Sequence, residues 1–252
     1  MMWRRKLHEF KKYAEALTSV RNDNLDGFIL YGFGRSGSTL LTSLINSHPQ
    51  IICDSEIFHQ NRVGNIFFPM WYLTGNQQAK TVHNQKEMYG CGIMSYQLHE
   101  QKYIDHKKFI HLLRSRGWKF IHLRRRSVLD IALSIVKAEM DGVYEVKGSI
   151  GYESGKVIIP IERLNYYLGS VTFHHGHEDT VMSEIDHFKV VYEDHLLNKD
   201  WNKTLKPMFE FLGQNPIHVN SSFKKKSNTD PHDQFENYEE IINCYQKFLE
   251  SH

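Results

Sequence analysis

The sequence predicts an α/β fold: a central, mainly parallel sheet flanked by helices in three layers. Short apolar runs alternate with stretches of helical periodicity along the chain, as repeated strand–helix units do. One strand-to-helix junction, residues 31–41, concentrates glycine, hydroxyl side chains and arginine. At 252 residues and 40% hydrophobic, the chain can bury a full core, and its length favours one domain. No Pro/Gly/Ser-rich linker, low-complexity tract or internal repeat divides it. We therefore expect a single domain over residues 1–252, with 1–25 as an N-terminal helical extension.

Taken in order, the extension reads as a mostly polar amphipathic helix with Trp3, Leu7, Phe10, Ala14 and Leu17 on one side. Phe28 to Tyr31 is the first strand, followed by the glycine-rich turn and a helix from Ser38 to Asn46 with Leu40, Leu41, Leu44 and Ile45 on one face. Ile51 to Cys53 is a short second strand. Residues 61–89 read as loops or short helices. Trp118 to Leu123 is a third strand, feeding a helix from Val128 to about Met140. Residues 141–155 read again as loop. Phe188 to Tyr192 is a fourth strand, feeding Leu205 to Leu212. Tyr238, Ile241, Ile242, Tyr245, Phe248 and Leu249 repeat at helical spacing and define the last helix.

Bulk properties exclude several classes. A formal charge of +2 gives no reason to expect a nucleic-acid partner. Positive charge clusters instead at Arg124-Arg125-Arg126 and Lys224-Lys225-Lys226. Three scattered cysteines (Cys53, Cys91, Cys244) suit isolated thiols in a reducing compartment better than a disulfide framework. Residues 1–21 have no long apolar stretch, so neither a signal peptide nor a transmembrane segment is expected there. A soluble, cytoplasmic protein is the expectation.

The richest segment is Tyr31-Gly32-Phe33-Gly34-Arg35-Ser36-Gly37-Ser38-Thr39-Leu40-Leu41. Between a strand and a helix, backbone amides and the helix N-terminus make an anion site. Gly32 and Gly37 have the spacing of the nucleoside-triphosphate loop and Thr39 holds its Ser/Thr place, but Ser38 stands where lysine belongs. The cation sits within the turn, at Arg35. That substitution argues against a magnesium-bound triphosphate and suits a smaller anionic group.

Gly34 to Leu41 resembles the 5'-phosphosulfate loop of sulfotransferases that use 3'-phosphoadenosine 5'-phosphosulfate (PAPS), nearest to the carbohydrate, tyrosyl-protein and bacterial members with an R-S-G-[ST]-[ST] core. The resemblance implies a P-loop-like fold, Arg35 at the bridging oxygen and sulfonate, and Gly34, Ser36, Gly37, Ser38 and Thr39 around the 5'-phosphate. A second junction, Phe120 to Arg126 followed by Ser127 to Ser134, resembles the family's 3'-phosphate motif of an arginine and a serine eight residues on. By that spacing Arg126 and Ser134 are the pair, with Arg124 open as the alternative in register. Ser127 and Asp130 have the spacing of a capping box for the helix between. The stretches Tyr192-Glu193-Asp194-His195-Leu196 and Phe211-Leu212-Gly213 resemble the family's YEDL…FLG segment, to which we assign a structural role. Ser222 to Ser227 resembles the basic loop that closes on the nucleotide, which implies a 3'-phosphate contact from among Lys224, Lys225 and Lys226; the choice among the three stays open, with Lys225 and Lys226 put forward. One departure is visible. Many bacterial relatives carry G-[FY]-K-L-M where this chain has Gly90-Cys91-Gly92-Ile93-Met94, which places any contact from that lysine in doubt.

The implied reaction moves a sulfonate from PAPS to an acceptor hydroxyl, leaving 3'-phosphoadenosine 5'-phosphate (PAP). The acceptor class expected is a carbohydrate, glycolipid or other small hydroxylated metabolite. Arginine and backbone amides can neutralise the leaving group without a metal. Glu56, just after the second strand, is the general-base candidate, and His59 the alternative. Of the sixteen histidines the densest group is Phe173-His174-His175-Gly176-His177-Glu178-Asp179. It lacks a second ligand cluster at recognisable spacing, so a solvated loop and no metal are expected. Two other readings stay open: a kinase or other triphosphate enzyme of a related P-loop fold, and a non-catalytic module that binds PAP or PAPS.

Overall fold

A computed structural model describes residues 2–18, 27–141, 156–197, 200–219 and 231–251. Its element order is α1 (Met2–Thr18), β1 (Gly27–Gly32), α2 (Ser38–Ile45), β2 (Ile51–Asp54), α3 (Gln60–Val63), α4 (Pro69–Asn84) and β3 (Met88–Met94). There follow α5 (Ser95–Glu100), α6 (His106–Ser115), β4 (Lys119–Arg124), α7 (Val128–Asp141), α8 (Ile161–Met182) and β5 (Phe188–Val191). A π-helical turn over Tyr192–Leu196, α9 (Trp201–Leu212), α10 (Pro231–Gln234) and α11 (Tyr238–Ser251) complete it. Lys225 and Lys226, and most of the 141–155 segment, lie outside the described residues.

The five strands form one sheet in the order β2-β3-β1-β4-β5, and every pairing is parallel. The α/β class with a parallel central sheet is therefore observed. Alternation along the strands sends side chains to two cores. Ile29, Tyr31, Tyr89, Cys91, Ile93 and Phe120 join residues of α1, α4, α5 and α6 on one face. Phe28, Leu30, Met88, Ile121 and Leu123 join residues of α2 and α9 on the other. Helices on both faces make three layers.

Contacts group the chain into two compact units. The first comprises 1–124 and 177–223 and carries the sheet; the second comprises 125–176 and 224–252. The second has its own core, with Ala132, Leu133 and Val136 of α7, Leu164 and Leu168 of α8, and Ile241 and Cys244 of α11. There Val157 bridges Phe235, and Asn237 Nδ2 donates to the Ile159 carbonyl at 2.9 Å.

Three regions differ from the sequence reading. Residues 61–89 hold a 16-residue helix, α4, and the start of a strand, β3, that the sequence reading had not recognised. Its Gly90 reads locally as a turn, yet a Cβ there would come 2.0 Å from the Phe28 ring of the neighbouring strand. The glycine makes room for a core aromatic. Second, the 173–179 histidines lie inside the 22-residue α8, not in a loop. Third, α1 forms as expected, but Trp3, Leu7, Phe10, Ala14 and Leu17 all face solvent. Its buried residues are Glu9, Lys12 and Tyr13. The reason is hydrogen bonding: Glu9 Oε1 accepts the Phe67 amide at 3.0 Å and Tyr13 Oη accepts the Phe68 amide at 3.0 Å. Those amides precede α4 and have no partner within that helix, so α1 docks by its polar side.

Candidate active site

In an open parallel sheet, ligands bind beyond the carboxyl ends of the strands, where the strand order reverses. Here that point is β1. The chain leaves β1 towards β2 on one side, returns through β3, and crosses to β4 on the other. The glycine-rich turn is the loop that follows β1.

Its backbone is unusual. Arg35 has φ 63° and Gly37 has φ 95°, both left-handed. For arginine that conformation costs about 1 kcal/mol or more. Gly37 is the N-cap of α2, and the first helical hydrogen bond is from the Leu41 amide to the Gly37 carbonyl at 3.0 Å. The amides of the first turn thus precede the intrahelical ladder, and the N-cap residue has no side chain to serve them. Ser36 is fully buried, and its Oγ has no hydrogen-bond partner among the described residues. A buried orphan hydroxyl costs about 1–3 kcal/mol, which an oxygen of a group seated in the turn would relieve. Thr39 is exposed and Ser38 half-buried. The turn is walled by two aromatics, Tyr192, to which the sequence analysis gives a structural role, and Tyr96, which it missed. A Cβ at Gly37 would lie 2.7 Å from Tyr192 Cδ2, and one at Gly34 would lie 3.3 Å from Tyr96 Cε1.

Glu56 follows β2 and meets the start of α5. Gln97 Nε2 donates to Glu56 Oε2 at 2.6 Å, and Tyr96 Oη lies 3.5 Å from the same oxygen. Gln97 is itself oriented, because its Oε1 accepts the Met94 amide at 3.2 Å. Burial, and then the Glu56 charge, push the Tyr96 phenol well above its ordinary pKa, so it stays a donor at any working pH. Tyr96 also packs edge-on against Phe33 at 5.5 Å between ring centroids. One tyrosine therefore touches both the turn and Glu56, and the two sequence-predicted centres converge. His59 is placed differently: its Nδ1 accepts the Asn61 amide at 3.1 Å and caps α3. A Cβ at Gly92 would be 3.5 Å from the Glu56 amide nitrogen, so position 92 adjoins Glu56.

The arginine triplet divides. Arg124, at the end of β4, pairs with the fully buried Glu178 at 3.4 Å and with Asp179 at 3.1 Å. Ser95 Oγ donates to the same Glu178 at 2.7 Å, and His122 Nε2 lies 3.6 Å from it. In the second unit, Arg125 pairs with Asp130 at 2.7 Å, while Ser127 Oγ accepts the Asp130 amide at 3.2 Å. The expected capping box is half made, since the Asp130 carboxylate turns to Arg125. Arg126 is exposed and Ser134 half-buried, two turns along α7. Of the alternatives in register, Arg124 is paired with the buried Glu178 and the exposed Asp179, and Arg126 lies at the surface.

The other family-like stretches have packing roles. Tyr192 lies against Gly37, Leu212 is buried in the core, and Gly213, at φ 81°, ends α9. The thiols of Cys53 and Cys91 are buried; burial, then the Asp54 charge, pushes Cys53 up to about 12. No helix among the described residues is long and apolar enough to cross a membrane.

No protein-family model matches the chain, and no curated protein matches it. Among solved structures it is similar to mouse sulfotransferase SULT7A1 complexed with PAP, at 12% identity and a TM-score of 0.45, over 98% of this chain and 96% of that one.

Proposed function

We propose that the protein is a PAPS-dependent sulfotransferase that moves a sulfonate to an acceptor hydroxyl. The observation that carries this reading is the turn after β1. It combines left-handed backbone at Arg35 and Gly37, an orphan buried hydroxyl at Ser36 and the N-terminus of α2, and Tyr96 links it to Glu56. Serine at position 38 favours a phosphosulfate over a magnesium triphosphate.

In this reading the acceptor oxygen attacks sulfur, the bond from sulfur to the bridging phosphate oxygen breaks, and PAP leaves. Arg35 and the first amides of α2 stabilise the charge that develops on the leaving phosphate. Ser36, Ser38 and Thr39 add donors, and Gly34 and Gly37 let the backbone close on the 5'-phosphate. Glu56 Oε2, held by Gln97 and Tyr96, takes the acceptor proton. Arg126 and Ser134 hold the 3'-phosphate, with Lys225 and Lys226 completing that end. His59, which caps α3, is the less suited base. The acceptor is a carbohydrate, glycolipid or other small hydroxylated metabolite, and the enzyme works in the cytoplasm.

Calorimetric titration with PAP, with ATP–magnesium as comparison, tests the reading on wild type and Arg126→Ala. PAP binding that weakens in the variant, with little response to ATP–magnesium, is the expected result. Preference for ATP–magnesium would return the turn to a kinase role. With a working acceptor, Glu56→Gln should abolish turnover and leave PAP affinity nearly intact; unchanged turnover would remove Glu56 from the role.

A further inference from the structure

Three histidines from separate helices converge in the sheet-bearing unit. His99 lies on α5, His106 opens α6, and His177 belongs to the last turns of α8. His106 Nδ1 is 3.2 Å from His99 Nε2 and 3.0 Å from His177 Nε2, and the three facing nitrogens lie within 4.8 Å of one another. Zinc binds imidazole at about 2.0–2.1 Å, so two ligands of a tetrahedral ion stand about 3.3 Å apart. The nitrogens are within a few tenths of an ångström of that spacing for two of the three pairs.

The surroundings suit a cation as well. The other nitrogen of His106, Nε2, meets the Tyr31 hydroxyl at 2.8 Å. Such an outer partner fixes the tautomer and aims the ring, as around metal-bound histidines. Tyr31 is fully buried, so this partner is held in place by the core. His106 is buried, His177 half-buried and His99 exposed, which gives the site a floor and an open side.

We propose that His99 Nε2, His106 Nδ1 and His177 Nε2 form a site for a divalent transition metal, with zinc as the best fit, whose fourth position opens to solvent beside His99. This departs from the expectation drawn from the 173–179 histidines alone. One of those residues takes part, and its partners lie 78 and 71 positions earlier in the chain. The site does not depend on the sulfotransferase reading. It does bear on the same helix: α5 carries His99 at one end and, at the other, Tyr96 and Gln97, which hold Glu56. An ion at the histidines joins α5 to α6 and α8 and stiffens the support of that carboxylate.

The test is titration of the chelator-stripped full chain with zinc against a chromogenic competitor, with magnesium as control and cobalt(II) as spectroscopic probe. Wild type should bind one zinc more tightly than its other histidines do, and cobalt should give the intense visible bands of a tetrahedral nitrogen site. His99→Gln and His177→Gln should each lose that site. Tyr31→Phe should weaken it about 10–100-fold. Because His99 is exposed, His99→Gln should keep the wild-type urea midpoint, and it decides the matter even if His177→Gln folds poorly. Equal zinc affinity in wild type and His99→Gln, or only the weak spectrum of hydrated cobalt, overturns the proposal.

Discussion

The turn after β1 and the arginine segment after β4 have the same sequence grammar: strand, cationic turn, serine, helix. Their local structures differ. After β4, Arg124 and Arg125 are tied to Glu178, Asp179 and Asp130, and the segment holds its own surroundings together. After β1, the backbone stands in a costly conformation at Arg35, and Ser36 is left without a partner. Arg124 and Arg125 after β4 are held in ion pairs, whereas the turn after β1 carries a buried serine hydroxyl with no hydrogen-bond partner among the described residues. Three adjacent arginines looked like the more charged site in the sequence, yet availability depends on which carboxylates the fold brings near.

That contrast can be broken most sharply at Arg124. Arg124→Gln leaves Glu178 buried without its cation, and should cost about 3–5 kcal/mol of stability by urea denaturation. The second test inverts it. Arg35→Ala should leave the urea midpoint close to wild type while lowering sulfonyl transfer about 10²–10³-fold, the usual loss for one oxyanion donor. If both variants fail in the same way, the two junctions are not functionally distinct. A smaller effect is expected from Gly37→Ala. It meets both a left-handed φ and the Tyr192 ring, and should cost about 1–3 kcal/mol in the same assay with a loss of PAP affinity.

Two glycines of β3 make a matched pair in the same assay, and one of them gives the smallest effect. Gly90→Ala pushes into Phe28 and should cost about 1–3 kcal/mol. Gly92→Ala meets only ordinary contacts at 3.5 Å and beyond, and should stay within about 0.5 kcal/mol of wild type. Urea midpoints of the two variants check both.

Much of the sheet was legible because its pattern is local. β1, its turn and α2 follow from apolar runs and glycine spacing within twenty residues. β3 was hidden because its glycines at 90 and 92 break the apolar run, and the Phe28 ring for which Gly90 makes room lies more than sixty residues earlier. The helix at 173–179 was hidden by Gly176 and three histidines, though α8 buries Leu164, Leu168 and Val171 before them. Within the candidate site, Glu56 could be found by its place after a strand. Tyr96 and Gln97, its partners, could not, because nothing within a few residues ties them to position 56. The same applies to His99, His106 and His177, which only the packing of three helices brings together.

The left-handed residue at position 35 has a consequence for engineering. Glycine would relax that backbone at no steric cost, so a search for thermal stability alone would favour Arg35→Gly. The result would be a sturdier chain without the cation on which the proposed chemistry depends. Position 35 is therefore a place where selecting for heat resistance and selecting for turnover should pull a library apart.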